Sequence, residues 1–294
     1  MKRRTLIKAI PLSLLAAAGG VSIWRDHAIS KTAISLSEDN SYDQHINLND
    51  LLGEDLFIKD NLEKPEQKIA KTTEIIIKDD EFKRLKSVVA HLQRVQNQVG
   101  YANFNLLGFD EMIRIGRNFS SVGSFTRAEL DFFEYIFTAD AKAYGFFGDK
   151  VIDNISSVIP EREIKKIART GHYLFKGQSI EKYNRVRKDV GNSLVLTSGI
   201  RSVVKQTYLF LSKAIETDGN LSMASYSLAP PGHSYHGIGD FDVGKVGYGH
   251  KNFTADFSHT DEYKRLTDLG YVAIRYVNGN PFGVRFEPWH IKVV

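Results

Sequence analysis

The chain has no cysteine, so a disulfide framework and a thiolate metal site are both closed to it. It has no His-Glu-x-x-His pair, which removes the helix-borne zinc-protease pattern, and no Gly-x-Ser-x-Gly elbow to support a serine hydrolase. No phosphate-cradling glycine loop follows a strand, and Gly237-Ile238-Gly239 is too short for a dinucleotide fingerprint. Internal repeats are absent. Beyond the first residues there is no long Lys/Arg run, and a net charge of +4 over 294 residues is mild, so nucleic acid is not suggested as a partner. What the chain does have is a hydrophobic fraction of 42%, enough for one large core or two smaller ones.

Composition divides the chain into four stretches. Lys2-Arg3-Arg4 precedes an apolar run from Ala9 to Trp24 that ends near small residues Ala16-Ala17-Ala18, the order of an export signal. Arg3-Arg4-Thr5-Leu6-Ile7-Lys8 resembles a twin-arginine signal, which implies export in the folded state. The run is shorter than the ~20 apolar residues of a typical span. Residues 1–28 are therefore expected to be an export signal, with an uncleaved anchor as the alternative, and the protein to be periplasmic or in the cell envelope. Residues 29–71 turn polar and acidic and read as a linker or arm. Residues 72–180 are expected to form a helical region and residues 181–294 a second domain.

Phe82, Leu85, Val88, Val89, Leu92 and Val95 recur at helical spacing and predict a helix from about Asp80 to Gln98. Thr126 and Glu129 have the spacing of a capping box opening a second helix. The many aromatics between Tyr101 and Phe147 read as packing. Glu161 to Ala168 suggests a short helix with a basic face. Further on, Ser193 to Thr197 predicts a strand, Val203 to Thr217 a helix, Phe241 to Val243 a central strand and Asp261 to Asp268 a helix. Tyr271–Val277 and Val284–Val294 are two more strand candidates joined by a turn at Asn278-Gly279. Strands and helices do not alternate strictly, which favours an α+β fold with a mostly antiparallel sheet and a helical N-terminal region.

Metal-ligand chemistry concentrates in two places. Pro231–Gly244 holds His233, His236, Asp240 and Asp242 among glycines, and Glu287-Pro288-Trp289-His290 adds a distal pair. Zinc takes imidazole nitrogen and carboxylate oxygen, and catalytic sites use three protein ligands plus water. With Phe241 to Val243 extended, Asp240 and Asp242 share a face, so either can supply the carboxylate. Pro288 biases Glu287 toward extended backbone, so an irregular bend is expected between Glu287 and His290. His91, His172, His250 and His259 read as core or surface residues, and His233 as a residue that lines the site without ligating.

These residues also carry a resemblance. Ser234-x-His236, a short glycine spacer, Asp before an aliphatic residue and Glu287-x-Trp289-His290 resemble the zinc D-alanyl-D-alanine carboxypeptidases, which are grouped with lysostaphin-type endopeptidases and the hedgehog signalling domain. Ser198-Gly199-Ile200-Arg201-Ser202 followed by Gln206 is similar to the Ser-Gly-Tyr-Arg-Ser…Gln stretch of the vancomycin-resistance carboxypeptidases, and Arg275-Tyr276 is similar to an Arg-Tyr pair of that family. The likeness runs from about Ser193 to Val294. It departs where the spacer after His236 is one residue short and Asp240 stands in the place of a small residue; the flanking Phe241 and Val243 favour Asp242 as the match.

The resemblance implies a fold of the hedgehog/D-Ala-D-Ala peptidase type and a zinc ion held by His236, Asp242 and His290. It further implies Glu287 as general base, Arg201 at the developing oxyanion, and Gln206 and Ser234 on the substrate. Arg275 is a candidate cation for a terminal carboxylate. The implied substrate is the D-Ala-D-Ala end of a peptidoglycan stem peptide. The same group also offers an endopeptidase and a non-catalytic zinc-binding module as alternatives.

Overall fold

The computed structural model describes residues 74–294; the expected signal (1–28) and arm (29–71) lie outside the described residues. Helix α1 (Asp79–Val99) buries Leu85, Val88, Leu92 and Val95 along one stripe. Asp79, Asp80 and Glu81 occupy its first turn, where negative charge complements the helix dipole. Helices α2 (Phe109–Asn118) and α3 (Arg127–Thr138) pack beside it. Phe104, Phe109, Phe132, Phe133, Phe137 and Tyr144 are buried in this core, while Tyr135 and Phe147 remain exposed.

The α3 N-terminus shows the expected capping box, Thr126 Oγ1 accepting from the Glu129 amide while Glu129 accepts from the Thr126 amide. Glu129 also accepts from Ser87 Oγ at 2.8 Å and lies against His91. Burial opposes its charge, but the Thr126 amide, Ser87, the Thr126 hydroxyl and His91 outweigh burial and hold the carboxyl below its usual value of 4.5. A depressed carboxyl stabilises the fold above its unfolded-state pKa and loses that contribution as pH falls through the folded value. Glu129→Gln should therefore lower the melting temperature at pH 7, and the gap to wild type should shrink progressively below about pH 4.5. A gap that stayed constant to pH 3 would remove the carboxylate from the explanation.

Residues 161–168 are not a helix. A single 3₁₀ turn (Glu161–Glu163) leads into β1 (Ile164–Lys166), which pairs antiparallel with β2 (Tyr173–Phe175). Ile164 is buried while Lys165 and Lys166 are exposed, so the basic residues are strand positions of a short hairpin rather than the face of a helix.

Helix α4 (Gln178–Val190) precedes β3 (Leu194–Ser198). Then come α5 (Val203–Glu216) and α6 (Leu221–Ser227), followed by β4 (Phe241–Lys245), α7 (Asp261–Asp268), β5 (Ala273–Ile274) and β6 (His290–Lys292). The four strands β3 to β6 make one antiparallel sheet of order β3-β4-β6-β5. Tyr183, Val186, Leu194, Leu196, Phe241, Val243, Leu266 and Ile291 form its core between sheet and helices. Helix α5 instead buries Val204, Tyr208, Phe210 and Leu211 in the core it shares with α1 to α3, so residues from both halves of the chain build that second core.

The last two strands are much shorter than expected. In the antiparallel register Ala273 faces Lys292 and Ile274 faces Ile291, and the ladder stops there. The backbone of the intervening loop is claimed elsewhere: the Arg285 amide donates to Tyr226 and the Glu287 amide to Tyr276.

Candidate metal centre and cleft

Adjacent strands set three side chains in a row. On β4, Phe241 and Val243 turn into the core, and Asp242 turns to the opposite face. Its antiparallel neighbours are Ser198 on β3 and His290 on β6. A register shift between Leu196 and Ser198 ends the β3 pairing just ahead of Arg201, the kind of bulge that re-aims side chains near a site. His236 arrives from the 3₁₀ turn Tyr235–Gly237. The chain passes from that turn to β4 through Gly239 at φ 150°, where an added Cβ would press on Val294 at 3.2 Å and the Ser179 hydroxyl at 3.3 Å. Pro288 and Trp289 form a turn, with the His290 amide donating to the Glu287 carbonyl at 3.1 Å, so Glu287 and His290 sit on one side of an irregular bend.

His236, Asp242 and His290 are all buried, and one ligand atom from each lies within 4.8 Å of the others. The nitrogens are sorted by their other bonds. His236 Nδ1 faces the Gly199 carbonyl at 2.8 Å, which makes Nδ1 the protonated nitrogen and turns the Nε2 lone pair inward. His290 Nε2 faces Asp240 Oδ2 at 3.0 Å, which leaves Nδ1 inward, 3.4 Å from Asp242 Oδ1 and 3.4 Å from Glu287 Oε2.

Among the described residues, His236 Nε2, 3.2 Å from Asp242 Oδ2, and Asp242 Oδ1, 3.4 Å from His290 Nδ1, are buried and lie near other donors but make no well-formed hydrogen bond. Buried polar atoms are rarely left so. Two inward lone pairs, a third from His290 and a carboxylate beside them fit a divalent cation. Two imidazoles and one carboxylate are the donor set of a catalytic zinc site that keeps a position open for solvent.

The electrostatics are arranged around that point. Burial opposes charge on Asp242, yet His236 and Arg201 hold its carboxyl down at about 2. Burial, and after it the Arg201 charge, push His236 below its ordinary value, the direction that favours the neutral ring a ligand needs. For His290 burial acts in the same direction, but Asp240, Glu287 and Asp242 overcome it and raise the ring to about 9. A cation held at the donors would take the place of that proton.

Arg201 is not simply aimed at the cleft. Its Nη2 donates to Asp242 Oδ2 at 2.7 Å and its Nε to Ser198 Oγ at 2.9 Å. Arg201, Gln206, Ser234 and Glu287 line one cleft with the three donors. Gln206 Nε2 donates to the Ala229 carbonyl at 2.6 Å, and its Oε1 is buried with no partner among the described residues.

Asp240 is separated from this set. It accepts from Arg275 and from the amides of Val293 and Val294 as well as facing His290, so the choice between Asp240 and Asp242 falls to Asp242 as the inward carboxylate. The expectation that Arg275 meets a substrate carboxylate is not met: it is buried, bonded to Asp240 and the Val294 carbonyl, and stacked 3.5 Å over the Tyr235 ring. His233 sits outside the donor set, against Phe146, with Nδ1 facing the Gly148 carbonyl at 3.3 Å. Sequence reasoning missed two contributors. The Gly199 carbonyl and the Ser198 hydroxyl orient His236 and Arg201, and neither carries a signal separable from the strand end where it lies.

The fold and site together present a buried His-Asp-His donor set of the zinc-binding type on an α+β scaffold. Residues 178–294 match the VanY family model, D-alanyl-D-alanine carboxypeptidase. No curated protein matches the chain. Among solved structures it is similar to the vancomycin resistance D,D-dipeptidase VanXYg in complex with a D-Ala-D-Ala phosphinate analog (25% identity, 42% of this chain and 51% of that one, TM-score 0.36). It is also similar to a mutant of the vancomycin resistance D,D-pentapeptidase VanY from the VanB-type resistance cassette in complex with Zn(II) (20% identity, 46% and 82%, TM-score 0.34). A third is VanYB in complex with D-alanine-D-alanine (23% identity, 46% and 81%, TM-score 0.35). The chain spans about half the length of the first of these.

Proposed function

We propose that the protein is an exported, zinc-dependent D,D-carboxypeptidase that removes the terminal D-Ala from peptidoglycan stem peptides. The observation that carries the chemistry is the convergence of His236 Nε2, Asp242 Oδ1 and His290 Nδ1, all buried, beside the Glu287 carboxylate. Export rests on the charged and apolar order of the first residues; among the described residues no helix is long and apolar enough to cross a membrane.

His236, Asp242 and His290 would hold the zinc, which when bound would supply a water with its pKa lowered from ~15.7 toward ~7 and a Lewis acid for the peptide carbonyl. Glu287 takes the proton of the attacking water and passes it to the leaving amine, one carboxylate serving as base and then acid. Arg201, fixed by Ser198 and Asp242, adds positive charge where the carbonyl oxygen becomes negative. Gln206 Oε1, an acceptor awaiting a donor, receives a substrate N–H, and Ser234 bonds near the substrate terminus.

The test is direct. Protein purified without chelators should contain about one zinc per chain and should shorten a pentapeptide ending in D-Ala-D-Ala by a single alanine, read by mass. Cleavage inside the stem would replace the carboxypeptidase reading with an endopeptidase. A metal-free, inert protein would end both.

A further inference from the structure

The metal donors account for Asp242, but not for the second buried aspartate two residues earlier. Asp240 is 1% exposed and is surrounded by donors: Arg275 Nε and Nη2, the amides of Val293 at 2.8 Å and Val294 at 3.3 Å, and His290 Nε2 at 3.0 Å. A buried carboxylate needs its charge matched, and the Arg275 fork does so from the side away from the donor set. Arg275 is in turn held from three sides, by Asp240, the Val294 carbonyl and the face of Tyr235. The position of the Asp240 oxygens is therefore fixed independently of the metal.

We infer that Asp240 is a positioning residue for the reaction: its carboxylate, locked by Arg275, holds the proton of His290 on Nε2 and so commits Nδ1 to the metal. This rests on the zinc reading above. The geometry leaves the ring little choice. A carboxylate only accepts, so the His290 nitrogen facing Asp240 Oδ2 is a donor and the opposite nitrogen presents its lone pair. A carboxylate behind a ligating imidazole also makes the ring a stronger base toward the metal. The two histidines are thus set by different means, His236 through a neutral backbone carbonyl and His290 through an anion. Each aspartate of the centre has its own arginine, Asp242 with Arg201 and Asp240 with Arg275, which keeps the second carboxylate from competing as a ligand.

Asp240→Asn tests this because the amide keeps the size of the side chain but offers an N–H to His290 Nε2, shifting the ring proton to the ligating nitrogen. Zinc affinity, measured by competition with a chromophoric chelator on the full chain, should fall about 10–100-fold, and the visible spectrum of the cobalt-substituted protein should change. Circular dichroism of the zinc-free variant checks that it folds. An unfolded variant leaves the decision to wild type: long-range ¹H–¹⁵N spectra of the zinc-loaded, ¹⁵N-histidine-labelled protein should show His290 protonated on Nε2 and metallated on Nδ1. Metallation on Nε2, or a folded Asp240→Asn protein with wild-type affinity and cobalt spectrum, overturns the inference. Wild type that binds no zinc at all sinks the zinc reading itself and this inference with it.

Discussion

Glu287→Ala should keep its zinc and lose about 10²–10⁴-fold in turnover of a D-Ala-D-Ala peptide. The carboxylate stands 3.4 Å from His290 Nδ1, close to the donors but outside the set of three that converge. Its removal takes away the proposed proton acceptor and leaves His236, Asp242 and His290 in place. Zinc content by metal analysis and turnover by mass spectrometry separate the two effects. A variant that still hydrolyses at the wild-type rate takes Glu287 out of the mechanism; a variant that also loses its metal makes it a ligand instead.

Arg201→Met should have a large effect of a different kind. Among the described residues, Arg201 is the one guanidinium that donates to Asp242, and both are buried. Taking one partner from a buried ion pair typically costs about 3–5 kcal/mol, because the other charge is left uncompensated. The zinc-free variant should therefore melt well below zinc-free wild type, and added zinc should recover part of the difference by matching the Asp242 charge. Loss of a donor to the developing oxyanion should further reduce turnover of the zinc-loaded variant by about 10²–10³-fold. Equal melting temperatures of the two zinc-free proteins would show that the pair contributes no net stability. Equal turnover of the loaded proteins would confine Arg201 to holding Asp242.

The two variants probe what could and could not be read from the sequence. Elements whose cause is local were legible: the α1 stripe, the Thr126–Glu129 box and α7 arise from spacings within one element. Phe241 and Val243 marked β4 because their alternation with Asp242 is a property of the strand itself. The β1–β2 pairing and the shortness of β5 and β6 depend on which segment each backbone bonds to, which the pattern of a single segment does not record, and there it misled. The site shows the same division. Residue types and their order pointed to His236, Asp242, His290 and Glu287 as candidates. The bond between Arg201 and Asp242, 41 positions apart, and the capture of Arg275 by Asp240, 35 apart, are facts of packing that no spacing announces. Arg275 was misjudged for that reason, since a cation near a cleft suggests a substrate anion until a buried carboxylate is seen to hold it.

The sheet order has a consequence for biogenesis. β6 follows every other strand in the chain, yet it lies inside the sheet, between β4 and β5. A ribosome delivers β3, β4 and β5 first, and the slot between β4 and β5 is filled only when the segment bearing His290 emerges and inserts. Until then only two of the three donors can meet, so a nascent or arrested polypeptide lacks the complete donor set, and a metal can be held by all three only once tertiary closure is complete.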